Sequence, residues 1–281
     1  MTATVYAVAN QKGGVGKTTT TLNIAAAMAE LGAAVLVVDL DPQGCLTFSL
    51  GYDPDAIEPS LNDTIVGRAA LADTIIQQGQ VDIVPANIDL AGAEVTLLAR
   101  TGREYLLRGG LSELTDSYDV VLVDCAPSLG VLTINGLTAA DQVVIPVQCE
   151  TLSHRGVSQL LETIYDVQRL TNRTLEVRGL VATMFDPRPR HTREVLRDLL
   201  ARYGLPLVGP PVRKSIRFAE STTVGTSLVG SGTEVPGTWA YRAIARELLG
   251  LDIDGDLLAA AGWADDQRDE ILGLLDPEVA R

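Results

Sequence analysis

Residues 10–20 read NQKGGVGKTTT. Gly16, Lys17 and Thr18 close a phosphate-binding loop of the Gly-x-x-x-x-Gly-Lys-(Ser/Thr) kind. Position 11, where that pattern places its first glycine, holds Gln11 instead, followed by a second lysine, Lys12. An apolar run, TVYAVA at 4–9, precedes the loop, and a helical period over 17–31 comes after it. A glycine turn between a buried strand and a helix aims the backbone N–H groups of Gly13, Gly14, Val15, Gly16, Lys17, Thr18 and Thr19 at phosphate oxygens, with the positive end of the helix behind them. Lys17 then bridges the β- and γ-phosphates of a nucleotide, and Thr18 offers its hydroxyl to Mg2+.

Outward from this loop, short β-branched runs alternate with longer amphipathic stretches, the pattern of strand–helix–strand units. Strands are expected at 4–9, 34–39, 81–84, 119–124, 142–147 and 177–183, and helices at 17–31, 102–116, 154–170, 191–203 and 236–249. The fold class is α/β: one domain with a mostly parallel central sheet and helices on both faces. The Gly-rich run 225–237 reads as a loop inside that domain. Domain bounds are 1–250, followed by an acidic extension over 251–281, expected to be helical. The extension carries Asp252, Asp254, Asp256, Asp265, Asp266, Asp269 and Glu270 against Arg268 and Arg281.

Two strand ends carry acids. DVVLVD ends in Asp124, placed at the carboxyl edge of a parallel sheet to hold Mg2+ through water. AVLVVDLDPQG supplies Asp39 and Asp41, which alternate and are expected to point the same way. One would serve the metal shell and the other orient an attacking water.

Composition narrows the rest. The 281 residues carry a net charge of −14 and include 46% hydrophobic residues, ordinary for a globular chain. No run reaches the roughly 18 apolar residues of a membrane span, and the start lacks the basic-then-apolar build of a signal peptide. A cytoplasmic protein is expected. Cys45, Cys125 and Cys149 are too scattered for a disulfide framework and are read as small buried residues. His154 and His191 have no partner at zinc-ligand spacing.

KGGVGKTTT, VVDLDPQG, VLVDCAPSLGVLTINGL and ADQVVIPVQCE resemble the ParA family of partition ATPases, within the ParA/MinD group of P-loop ATPases, over about residues 4–250. The resemblance implies ATP and Mg2+ as ligands, hydrolysis that is slow without a partner, and a homodimer that sandwiches ATP. It gives Lys12 the role of reaching the nucleotide of the other subunit, Asp41 that of positioning the hydrolytic water, and Asp39 that of an acid near the metal. VRKSIRFAESTTVG resembles the run that frames adenine in the family, with Arg213 where the family has proline and Ser215 where it has asparagine.

Between Arg188 and Arg217 eight basic residues face two acidic ones. The resemblance implies nonspecific binding of double-stranded DNA in the ATP state through Arg188, Lys214 and Arg217, extended along a helix by Arg190, Arg193 and Arg197. It also implies a ParB-like partner and association with the nucleoid. With so short a run before the first strand, operator reading by a helix-turn-helix in this chain is not expected. A MinD-like membrane regulator would need a basic amphipathic tail, which the acidic extension does not offer. An iron–sulfur carrier would need cysteines at other positions, and a metabolic kinase would need an acceptor-binding segment.

Overall fold

The protein is described by a computed structural model that covers residues 3–263, apart from 78, 115 and 151–152. Six strands form one sheet: β1 (Thr4–Val8), β2 (Val35–Leu40), β3 (Val81–Val84), β4 (Val120–Cys125), β5 (Gln142–Gln148) and β6 (Glu176–Thr183). Their order is β3-β2-β4-β1-β5-β6, and every pairing is parallel. Each predicted strand is present, and the residues explain why. Runs such as VLVVDL and VVLVDC are buried along their whole length, as strands covered on both faces must be.

The helices are α1 (Lys17–Glu30), α2 (Cys45–Ser49), α3 (Leu61–Val66), α4 (Asp89–Leu97), α5 (Leu106–Ser112), α6 (Val131–Ala139), α7 (Ser153–Leu170), α8 (Arg190–Tyr203), α9 (Arg217–Thr223), α10 (Pro236–Leu248) and α11 (Gly255–Ala260). Helices α1, α10 and α11 pack in one layer, α4, α5, α6 and α7 in another, and both α1 and α6 touch β1, β2 and β4 between them. Tyr241 of α10 is fully buried and meets the Thr20 hydroxyl of α1 at 3.2 Å. Tyr6 of β1 donates to the Leu248 carbonyl at 2.7 Å, so strand, first helix and last long helix are cross-linked.

Two expectations need correction. The helix expected over 102–116 is a 3-10 turn at Arg103–Tyr105 and then the shorter α5, because Gly102 adopts φ +69 and Gly109 and Gly110 weaken the helical run after it. Helix α6 has no counterpart among the expected helices, because it is buried on nearly every side and has no polar stripe to set a period. Of the acidic extension, residues 251–263 lie against the domain: Asp254 caps α11 by accepting from Leu257 N–H at 2.8 Å, and Trp263 is buried. The acids from Asp265 onward fall outside the described residues.

Gly136 of α6 is the tightest point between the inner helix and the sheet. A Cβ there would sit 2.9 Å from Cys125 Sγ and 3.0 Å from Leu40 Cδ2. Gly136→Val is expected to cost about 1–3 kcal/mol of stability through overpacking, measured by urea unfolding, whereas Gly109→Val, where a Cβ meets nothing within 4 Å, should cost less.

Candidate functional site: a nucleotide cleft at the carboxyl edge of the sheet

The chain leaves β1 between β4 and β5, where crossovers depart to opposite sides and open α/β sheets hold their ligands. Gly14 (φ +72) and Gly16 (φ +84) take the left-handed turns that bring residues 13–16 over the start of α1. Beyond them opens a cleft of about 490 Å³, lined on one side by Gly13, Gly14, Gly16, Lys17, Thr18 and Thr19. Asp41, Cys45, Thr183, Met184, Arg213, Lys214 and Ser215 line the rest with Phe218 and Tyr241. Thr183 ties the floor together, donating to the Val15 and Val147 carbonyls at 2.7 and 3.0 Å.

The cleft brings together most of the residues picked from sequence. Lys17 is 7% exposed, and burial lowers its pKa against the opposing pull of Asp124 and Asp41. Asp39 and Asp124 lie side by side in the β2–β4 register, both out of water. Burial first, then the neighbouring Asp39 charge, pushes Asp124 up to about 8, while the Thr18 hydroxyl and the Lys17 ammonium pull the other way. Its Oδ1 accepts from Thr21 at 3.3 Å, and its Oδ2 is buried with no hydrogen-bond partner among the described residues. An unpartnered carboxylate oxygen beside a threonine hydroxyl suits a hard cation.

Asp39 and Asp41 do not share a face. Asp39 is buried and accepts from Thr47 N–H and Thr47 Oγ1, both at 2.8 Å, through Oδ2. Its Oδ1 accepts from the Asp41 N–H at 3.2 Å, which turns the chain out of the strand and presents Asp41 to the cleft. Burial raises the Asp39 pKa, and the Thr47 hydrogen bonds counter it. Thr47 is a functional neighbour that sequence reading missed, since no motif announces a threonine eight residues after the acid it holds.

Lys12 stands apart. Its side chain is 31% exposed, and its Nζ donates to Glu150 Oε2 at 2.7 Å, outside the residues that line the cleft. Its backbone N–H donates to Asn10 Oδ1 at 2.9 Å, and Asn10 in turn donates to the Pro146 carbonyl at 2.7 Å. Cys45, expected to be buried, is exposed and lines the cleft, because α2 starts at the cleft mouth.

The basic residues separate into two groups. Arg188 is 88% exposed but paired with Asp186, whose carboxyl it pulls down to about 2, and Arg190 is paired with Glu194 at 2.7 Å. Arg193 and Arg197 lie on α8 with Arg190, and Lys214 and Arg217 are exposed near the cleft. Arg213 is half-buried and turned inward, stacked over the Trp263 ring. At the far end of the cleft the loops after α2 and after α9 touch backbone to backbone: a Cβ on Gly225 would lie 2.8 Å from Gly51 Cα.

A parallel sheet with a glycine loop and a buried lysine at its switch point defines a P-loop nucleotide-binding protein. The profile of the family described as "AAA domain" matches residues 3–177. The chromosome partitioning protein ParA of Caulobacter vibrioides is 37% identical over 260 residues, covering 91% of this chain and 97% of that protein. The sporulation initiation inhibitor protein Soj of Bacillus subtilis is 38% identical over 246 residues, covering 87% and 97%. A Mycobacterium smegmatis structure named cobyrinic acid a,c-diamide synthase, with bound ATP analog and magnesium, is 49% identical with a TM-score of 0.78 over 88% of this chain and 94% of that one. The chain belongs to the ParA/Soj family of P-loop ATPases. Among the described residues no helix is long and apolar enough to cross a membrane.

The raised Asp124 pKa has a consequence for stability. The unfolded carboxyl titrates near about 3.9, so between about pH 4 and pH 8 the folded protein binds more protons than the unfolded one, and its stability falls as pH rises through that window. Free of metal and nucleotide, Asp124→Asn is therefore expected to melt above the wild type at pH 8, by roughly 2–4 °C per kcal/mol relieved, with the gap closing toward pH 5. Thermal unfolding across that range checks it.

Proposed function

We propose that this protein is an ATP-driven dimeric switch of the ParA type. It binds ATP with Mg2+ and forms a homodimer with the nucleotide sandwiched at the interface. In that state it holds double-stranded DNA without sequence preference, and it releases the DNA on hydrolysis, moving a chromosome or plasmid with a ParB-like partner. It works in the cytoplasm and on the nucleoid. The location of Lys12 carries this reading. Its ammonium pairs with Glu150 outside the residues that line the cleft Lys17 serves, which supports a role in stabilising phosphate charge on a nucleotide presented by a second subunit.

The residues fit the ligands. Residues 13–19 bind the phosphates through backbone N–H groups and the Lys17 ammonium. Thr18 and Asp124 would hold Mg2+, with Asp39 close behind Asp124; bound there, the ion would neutralise charge on the β- and γ-phosphates. Asp41 has its backbone pinned by Asp39, and its Oδ1 accepts from Gln43 N–H at 3.0 Å. The other oxygen is left to orient a water. Arg213 and Ser215 also line the cleft, and the nucleoside would lie against them. For DNA, Lys214 and Arg217 are the stronger candidates, since neither forms an ion pair among the described residues, whereas Arg188 and Arg190 would exchange Asp186 and Glu194 for phosphate. Arg193 extends the surface along α8.

A second reading, an ATP-dependent amide synthase, is suggested by the name of the M. smegmatis structure. Such an enzyme that draws its nitrogen from glutamine would need an activated thiolate. Cys45, the thiol at the cleft, is pushed the other way by partial desolvation at the cleft wall and by Asp41, Asp39 and Asp124. A ParA-like ATPase that positions another cargo keeps all the chemistry described and changes only the adaptor.

Binding to random-sequence duplex DNA should require ATP, weaken steeply between low and moderate salt and be lost in Arg217→Glu. Lys17→Ala should lose nucleotide binding, whereas Lys12→Ala should still bind ATP as a monomer yet neither dimerise nor hydrolyse it, read by sizing chromatography and phosphate release. DNA binding indifferent to nucleotide, or glutamine-dependent turnover of cobyrinic acid, would refute the partition reading.

A further inference from the structure

One wall of the cleft is braced from behind by the C-terminal segment. Two strips of chain make that wall, Thr183–Met184 at the end of β6 and Val212–Ser215 before α9. They run parallel: Phe185 N–H donates to the Val212 carbonyl at 2.9 Å, and Phe185 forms a β-bridge with Arg213. Trp263 reaches both. Its ring lies 5.8 Å from that of Phe185, and the Arg213 guanidinium stacks over it at 5.1 Å. Arg213 Nη2 donates to the Gly262 carbonyl. The fit leaves no slack: Gly262 takes φ +85, and a Cβ there would sit 2.9 Å from Arg213 Nε and 3.3 Å from Pro236 Cβ. Trp263 is only 3% exposed.

Two features indicate that this packing serves the cleft as well as the fold. Met184, between Thr183 and the braced Phe185, has a positive φ of 48, the one such non-glycine residue among those described, and it lines the cleft. A strained backbone of this kind persists only where its surroundings over-determine it. Arg213, for its part, is held by a ring face and a carbonyl and forms no ion pair among the described residues. Asp186 feels its charge but does not pair with it, so the guanidinium remains available at the wall of a cleft suited to an anionic ligand.

We propose that Gly262 and Trp263 are positioning residues for the nucleoside half of the bound nucleotide. By holding Arg213 and the Met184–Phe185 turn, they make docking of the C-terminal segment and nucleotide binding favour each other. The coupling is reciprocal, as any linkage between two sites must be. The inference rests on the nucleotide reading above and assigns the segment beyond α11 a part in it.

The test uses the full chain. Mg·ADP and Mg·pyrophosphate are titrated by calorimetry into wild type, Trp263→Ala and Trp263→Phe. The expected result is about a ten-fold loss of ADP affinity in Trp263→Ala, the size of one buried cation–ring contact, with pyrophosphate affinity unchanged and Trp263→Phe close to wild type. Equal ADP affinity in Trp263→Ala, or equal losses for ADP and pyrophosphate, overturns the brace alone. A wild type that binds pyrophosphate but no ADP overturns the nucleotide reading and the brace with it. Should Trp263→Ala not fold, Trp239→Phe leaves Trp263 as the sole tryptophan. Its emission should then respond to ADP and not to pyrophosphate, and silence toward ADP overturns the proposal.

Discussion

Two carboxylates forced side by side out of water are the constraint on which the rest of the cleft depends. Parallel pairing of β2 with β4 puts Asp39 opposite Asp124, and neither can move away without breaking the sheet. The protein relieves the repulsion unevenly. Asp39 is given the Thr47 hydroxyl and N–H, and the N–H of Asp41. Asp124 is left with a bare oxygen and a buried ammonium, Lys17, in its field. A charge held this way is unfavourable until a cation or a proton joins it. The ligand-free fold thus stores part of the free energy that makes its ligand welcome.

The basic stretch shows how far a local charge count can mislead. Eight cations between Arg188 and Arg217 suggest one patch, yet folding assigns them to different tasks. Arg188 and Arg190 find carboxylates nearby, and Arg213 turns inward onto an indole. The basic surface facing solvent near the cleft mouth is smaller, centred on Lys214 and Arg217, and Lys214 also lines the cleft.

The six strands are legible in the sequence because they are short and rich in β-branched apolar residues, and the glycine loop because Gly14 and Gly16 stand where a backbone must turn left-handed. The carboxylates are legible as strand ends. Helix α6 is not, because a helix buried all round carries no stripe. Nor is the divergence of Asp39, buried against Thr47, from Asp41, presented to the cleft, which depends on Thr47 arriving from α2, a contact that no spacing announces. Trp263 lies beyond the recognisable motifs, in a tail that reads as merely acidic, and its place beside Arg213 depends on a chain path that returns to the sheet only after α10.

The contact between Gly51 and Gly225 couples two stretches that are 174 positions apart in the chain (225 − 51). One comes after the loop that carries Asp41, and the other after the segment that carries Lys214 and Ser215. Because the two backbones touch with no side chain between them, a methyl group at Gly225 would press on the Gly51 backbone at 2.8 Å and force the two stretches apart. The constraint is one-sided: a Cβ on Gly51 would approach Gly225 no closer than 3.5 Å, so it is the missing side chain of Gly225 that lets the two stretches meet.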